Sequence, residues 1–180
     1  MNIKKFVVIG PESTGKTTLC KNLADHFKAP WVAEYAREYL ESKSTTYNYT
    51  DLAEIAKGQL ALEQQAVSAI VESEYPTIVI LDTNLLVIKI WSEYVFNKCD
   101  NTLLTNIANM QYDGYLLCNT DIPWVKDNLR EYPNIVERQK LFVYYKEELS
   151  EQSAPWVIIE GDYEARTTLA IRFINAILKR

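Results

Sequence analysis

The segment that most limits what this chain can become is Gly10-Pro11-Glu12-Ser13-Thr14-Gly15-Lys16-Thr17. It fits G-x-x-x-x-G-K-[ST]. It lies between a short β-rich run, Phe6-Val7-Val8-Ile9, and a stretch over 16–28 in which Leu19, Leu23 and Phe27 recur at helical spacing. Two glycines let the backbone curl so that successive N–H groups point inward at a polyphosphate. Lys16 adds a charge directed at the β- and γ-phosphates, and the Thr17 hydroxyl is placed to ligate Mg²⁺. The helix starting there contributes its positive N-terminal end. At ordinary glycine usage a chance match in a chain this long arises on the order of 1% of the time, and the strand and helix around it lower that further. A strand–loop–helix unit is therefore expected, with Gly10, Glu12, Ser13, Thr14, Gly15, Lys16, Thr17 and Thr18 around a nucleotide's phosphates.

The rest of the chain repeats the alternation. Apolar runs at 6–9, 31–33, 77–81, 115–118 and 156–159 read as strands. Helical patterns fall at 16–28, from Asp51 to about Glu74, at 85–96, at 101–110 and at the C-terminal end. Glu54, three residues after Asp51, reads as its capping partner, and Pro76 stops the long helix. The runs lack strict polar alternation, so each strand is expected to be buried on both faces. The fold class expected is α/β: a five-stranded parallel sheet with helices on both faces, in a single domain over 1–180. A polar, lid-like insert is expected at about 119–140.

Composition removes other classes. There are 19 Lys and Arg against 24 Asp and Glu, a net charge of −5, which argues against nucleic-acid or anionic-membrane binding. One histidine and three scattered cysteines without a CxxC pair give no multi-histidine metal site and suggest free thiols in a reducing, cytoplasmic setting. The apolar stretch before Gly10 is too short for a signal-peptide core, and no run reaches the ~20 residues of a membrane span.

Within that frame, Asp82 ends the strongest strand, where an acid holds Mg²⁺ or its water in P-loop proteins. An Asp capping the next helix is the bland alternative; the phosphate loop favours the metal role. Glu34 and Arg37 follow the second strand, at the sheet edge facing the phosphates. Glu34 either orients an acceptor hydroxyl, with Asp82 as the fallback base, or pairs with Arg37 on a solvated edge. Arg130 and Arg138 in the insert suit a lid closing over phosphates. Asn97-Lys98-Cys99-Asp100 matches the guanine-reading N-K-x-D, but it follows a helical stretch rather than a strand, and no D-x-x-G stands at Asp82. A helix end and turn is the expected reading.

These segments together resemble the ribosylnicotinamide kinase domain of NadR-type proteins. The likeness runs through Gly10–Leu19, Glu34-Tyr35-Ala36-Arg37-Glu38-Tyr39, Leu81-Asp82-Thr83-Asn84 with Trp91, Asp121-Ile122-Pro123-Trp124-Val125 with Asp127 and Arg130, and Gly161-Asp162-Tyr163 with Arg166. The resemblance implies ATP- and Mg²⁺-dependent phosphorylation of the 5′-hydroxyl of nicotinamide riboside, giving nicotinamide mononucleotide. The chemistry of phosphoryl transfer independently points to catalytic roles for Lys16, Glu34, Asp82, Arg130 and Arg138, while the resemblance implies nucleotide contacts from Asp162 and Tyr163. It also implies an acceptor pocket drawing on Glu34, Arg37, Asn84, Trp91, Asp121, Trp124 and Asp127. Trp91 and Trp124 either stack on a flat ring or pack in the core. NadR proteins usually carry an N-terminal adenylyltransferase domain; with the loop beginning at Gly10, none is expected ahead of it here. Two other readings stay open: a kinase for another nucleoside or small hydroxyl substrate, and a nucleotide-binding regulatory ATPase.

Overall fold

The computed structural model describes residues 3–43, 46–71 and 77–179. Five strands, β1 (Lys4–Ile9), β2 (Trp31–Val32), β3 (Ile78–Asp82), β4 (Gly114–Cys118) and β5 (Trp156–Ile159), form one sheet in the order β2-β3-β1-β4-β5. Every pairing is parallel. Among the described residues seven helices accompany them: α1 (Lys16–Phe27), α2 (Tyr35–Ser42), α3 (Asp51–Val71), α4 (Leu85–Phe96), α5 (Asn101–Asn109), α6 (Ile135–Ser150) and α7 (Tyr163–Leu178). The expected end of α3 near Glu74 and its stop at Pro76 lie outside the described residues. Among the described residues, no helix is long and apolar enough to cross a membrane.

Side chains of β1 feed two cores by simple alternation. Val7 and Ile9 pack with Ile70 of α3, Leu86 and Ile90 of α4, and Tyr145 of α6. Phe6 and Val8 pack with Leu19 and Leu23 of α1 and Ala170 and Ile174 of α7. All four residues are fully buried, which is why the strand reads as an unbroken apolar run. Each such side chain stabilises the fold by about 1.5–3 kcal/mol over leaving it in water. In a parallel sheet of this kind all five carboxyl ends share one edge, and ligands bind there.

Three parts differ from expectation. The sequence pattern leaves α2 open; it buries no side chain fully and is seated by its first residue, Tyr35, whose ring lies so close to Gly58 that a Cβ there would sit 2.0 Å from it. The insert is shorter than 119–140. Asn134 caps α6 by accepting from the Val136 amide at 2.8 Å, so 135–140 are the first turns of a helix. Its buried stripe is Arg138, Leu141, Tyr145 and Leu149, and the charged residue at its head masks the helical period. At the start of α3, Asp51 accepts from Lys43, from the Tyr39 hydroxyl at 2.7 Å and from the Asn48 amide at 2.6 Å. These bonds, Lys43 foremost, hold its pKa down at about 2. Glu54 instead reaches Lys57 at 2.7 Å. The N-K-x-D stretch is a helix end and turn: Asn97 closes α4 at φ 53°, and Asp100 caps α5 through the Thr102 and Leu103 amides at 2.8 and 3.3 Å.

Candidate active site

The loop after β1 leaves the sheet through Gly10, at φ 142°, where a Cβ would lie 2.6 Å from the Cys118 carbonyl oxygen of β4. Only glycine fits so close an approach at that torsion. Lys16 Nζ donates to the Gly10 and Pro11 carbonyls, both at 3.0 Å, and Thr14 Oγ1 to the Pro11 carbonyl at 2.8 Å. Thr17 and Thr18 are exposed at the head of α1. A cleft of about 310 Å³ opens over the loop and runs on to Glu34, Arg37, Trp91 and Tyr145.

Asp82 lies beside the loop. The Thr17 hydroxyl donates to its Oδ2 at 2.5 Å, and its Oδ1 is buried without a partner. The carboxylate is 1% exposed. Burial, and then the negative charge of Glu34, push its pKa up to about 6 against the pull of Lys16. A free aspartate ionises near ~4. Between those values the folded chain keeps a proton that the unfolded chain has lost, so this contribution to stability falls as pH rises through the window and stays lost above it. Asp82→Asn, without nucleotide or divalent ion, is therefore expected to melt above the wild type at pH 7. That gain should disappear below about pH 4. Equal melting temperatures at pH 7 would show that the buried carboxylate carries no such cost.

Glu34 is the residue before α2, in extended conformation, and its side chain caps no helix amide. Among the described residues its carboxylate has no hydrogen-bond or ion-pair partner. Arg37 does not pair with it; it reaches Asp127 at 3.2 Å and Glu41 at 3.4 Å. The bland reading of Glu34 as the partner of Arg37 is thus not what the structure holds.

The insert sits directly on the loop. Glu12 accepts from the Glu131 amide at 2.9 Å and the Tyr132 amide at 3.1 Å, and Ser13 Oγ accepts from the Val125 amide at 2.8 Å. Arg130 lines the cleft, donating to the Val125 carbonyl and, at 3.4 Å, to Ser13 Oγ. Arg138 is elsewhere: it is 2% exposed, donates to the Ser13 carbonyl at 3.3 Å, and does not line the cleft. Burial, with Arg130 nearby, draws its pKa below that of a free arginine.

Other expected contacts separate in the same way. Tyr163 and Trp91 line the cleft; Asp162 caps α7 through the Ala165 amide at 2.8 Å. Asn84, Asp121, Trp124 and Asp127 are not among the residues lining it. Asn84 caps α4, accepting from the Leu86 amide at 3.1 Å. Asp121 pairs with Arg166 and accepts from the Gly161 amide at 2.6 Å. Asp127 accepts from the Leu129 amide at 3.0 Å as well as pairing with Arg37. Trp124 keeps a buried, unpartnered Nε1. Two more buried residues hold the site: Arg166, named in the Gly161–Arg166 segment but given no role there, and Gln59, which no motif singled out. Arg166, 2% exposed, donates to the carbonyls of Gly161, Thr14 and Asn119 at 2.7, 2.9 and 3.0 Å. Gln59 interrupts the apolar stripe of α3 between Ile55 and Ala66, and a polar side chain on a buried stripe is the signal that would have found it.

A glycine loop between β1 and α1, with an acid at the end of the neighbouring β3, defines a P-loop nucleotide-binding fold of the nucleotide-kinase type. A family model described as an AAA domain matches residues 5–166, and the chain belongs to that family. Over 182 residues it is 24% identical to the trifunctional NAD biosynthesis/regulator protein NadR of Escherichia coli (strain K12), covering 98% of this chain and 43% of that protein. The crystal structure of NadR protein in complex with NR is similar at a TM-score of 0.78 and 28% identity, over 98% of this chain and 52% of that one. Thymidylate kinase from Ehrlichia chaffeensis shares the fold, with a TM-score of 0.63 at 12% identity over 97% of this chain and 100% of that chain. The chain thus spans about half the length of the NadR proteins it matches. The resemblance read from the motifs extends over nearly the whole chain.

Proposed function

We propose that this chain is an ATP-dependent small-molecule kinase that phosphorylates nicotinamide riboside to nicotinamide mononucleotide in the cytoplasm. The observation that carries the reading is the single cleft joining the phosphate loop to the unpartnered Glu34 carboxylate. The likeness to NadR in complex with NR supports the choice of acceptor. ATP's phosphates lie in the loop against Lys16 and the α1 N-terminus. The acceptor hydroxyl oxygen attacks the γ-phosphorus; the new O–P bond forms as the bond to the ADP oxygen breaks, and the hydroxyl proton passes to Glu34. Lys16 and Arg130 neutralise charge on the transferring group, while Arg138 and Arg166 hold the loop's backbone. Mg²⁺ fits here: Thr17 and the orphaned Asp82 Oδ1 are oxygen donors beside the loop, and no group of three or more Asp, Glu, His or Cys among the described residues holds a metal alone. That suits an ion arriving with the nucleotide, which would neutralise phosphate charge when bound.

The acceptor preference follows from charge. Arg37, the cation lining the far end of the cleft, is already paired with Asp127 and Glu41. Glu34 is unpaired there. That balance suits a ribose with a cationic pyridinium ring beside Trp91, and it repels a phosphorylated acceptor. Asp121, Trp124 and Asp127, expected to add acids and an aromatic plate to the pocket, are not among the residues lining the cleft, and beyond the pairing of Asp127 with Arg37 they play no part in this balance. With ATP and Mg²⁺, nicotinamide riboside is expected to be phosphorylated in preference to nucleoside monophosphates. Efficient turnover of thymidylate or another monophosphate, without turnover of nicotinamide riboside, would overturn the acceptor and leave the kinase.

A further inference from the structure

Gln59 grips the backbone on both sides of Glu34. Its Oε1 accepts from the Tyr35 amide at 2.9 Å, and its Nε2 donates to the Ala33 carbonyl at 3.3 Å. The Tyr35 donor and the Ala33 acceptor can both be served by the amide in this orientation alone, with one Nε2–H left over. The side chain is 2% exposed, on the stripe of α3 that also carries Leu52 and Ile55. An apolar residue would serve the packing of that stripe equally well, so a buried amide needs another reason. The neighbouring residue adds one. Gly58 receives the Tyr35 ring at a distance no side chain would allow, so residues 58 and 59 seat Tyr35 by ring and by N–H together.

We propose that Gln59 is the positioning residue for the Glu34 carboxylate, and this rests on the reading of Glu34 as the group facing the acceptor hydroxyl. The Tyr35 N–H is the first of the unsatisfied amides at the α2 N-terminus. Gln59 takes it from another helix, so neither water nor the Glu34 side chain has to turn back to serve it. The Ala33 carbonyl is held in the same way. The peptide carrying Glu34 is then fixed to α3, a 21-residue helix packed on the sheet, although β2 is only two residues long and α2 buries nothing fully. A displacement of about 1 Å at a reacting group costs on the order of 10²-fold in rate, so small freedom here matters.

The test is a double-mutant cycle on the full chain with Gln59→Leu and Glu34→Gln, reading kcat and both KM values. Gln59→Leu is expected to lower kcat by ~10-fold or more while KM for ATP stays within about twofold. In the Glu34→Gln background the same change should lower kcat no further, because the group it positions has lost its function. Gln59→Glu, which keeps the acceptor for Tyr35 but not the donor to Ala33, should fall between wild type and Gln59→Leu, and it serves if Gln59→Leu does not fold. If Glu34→Gln is slow while the Gln59 variants match the wild type, or lower kcat equally in both backgrounds, Gln59 has no positioning role and Glu34 keeps its own. A rise in acceptor KM with unchanged kcat would make it a binding contact, against the proposal. If Glu34→Gln turns over at the wild-type rate, the reading of Glu34 and the proposal fall together.

Discussion

Lys16→Ala is expected to reduce phosphoryl transfer from ATP by at least ~10³-fold, with the melting temperature nearly unchanged. The side chain projects from the first residue of α1 and is only half-buried. Its two hydrogen bonds go to the Gly10 and Pro11 carbonyls of its own loop, so the ammonium closes the loop on itself until phosphates compete for it. Removing it opens no cavity in either core, and the loop keeps its anchors to Arg138 and Arg166. What is lost is a point charge aimed at the β- and γ-phosphates, in a site where it has no substitute on α1. Circular dichroism melting alongside turnover separates the two effects. Wild-type turnover in the variant would show that the loop does not bind the phosphates.

Glu34→Gln is expected to lower kcat by at least ~10²-fold, the lower range of general-base assistance, with little change in KM for ATP. The substitution keeps shape and hydrogen-bonding reach and removes only the capacity to take a proton. The negative charge of Glu34 helps raise the pKa of Asp82, so the two carboxylates sense each other. They separate by comparison. Asp82→Asn removes an oxygen beside Thr17, and its loss of rate should come with a raised requirement for Mg²⁺. A Glu34→Gln enzyme with wild-type kcat, set against an inactive Asp82→Asn enzyme, would move the base from the second strand's end to the third's.

The strands, the loop and most helices were legible because their signals are local. A glycine pair at fixed spacing, an apolar run and a 3.6-residue period each reside within a dozen neighbours. What was hidden depends on partners far along the chain. Asp121 and Trp124 sit in a segment that looks like a pocket wall, yet Asp121 is claimed by Arg166 and the Gly161 amide, some forty residues away. Asn84 looks available until the start of α4 takes its side chain as a cap. All of α6 escaped notice, its first turns read as insert, because its buried stripe opens with Arg138, a charge that donates to the Ser13 carbonyl. Gln59 acts through backbone groups, which carry no residue identity for a motif to display.

A phosphate loop is often treated as a cassette: two glycines, a lysine and a hydroxyl, with four positions free to vary. In this chain three of those four positions are fastenings to distant segments. Glu12 and Ser13 receive the amides of residues 125, 131 and 132, and the carbonyls of Ser13 and Thr14 receive Arg138 from α6 and Arg166 from α7. The smallest transplantable unit is therefore not eight consecutive residues but a set scattered from 10 to 166. Grafting a foreign loop onto this scaffold would leave the glycines, the lysine and the carbonyls that the two arginines hold, and still detach the cover that the Glu12 and Ser13 side chains fasten.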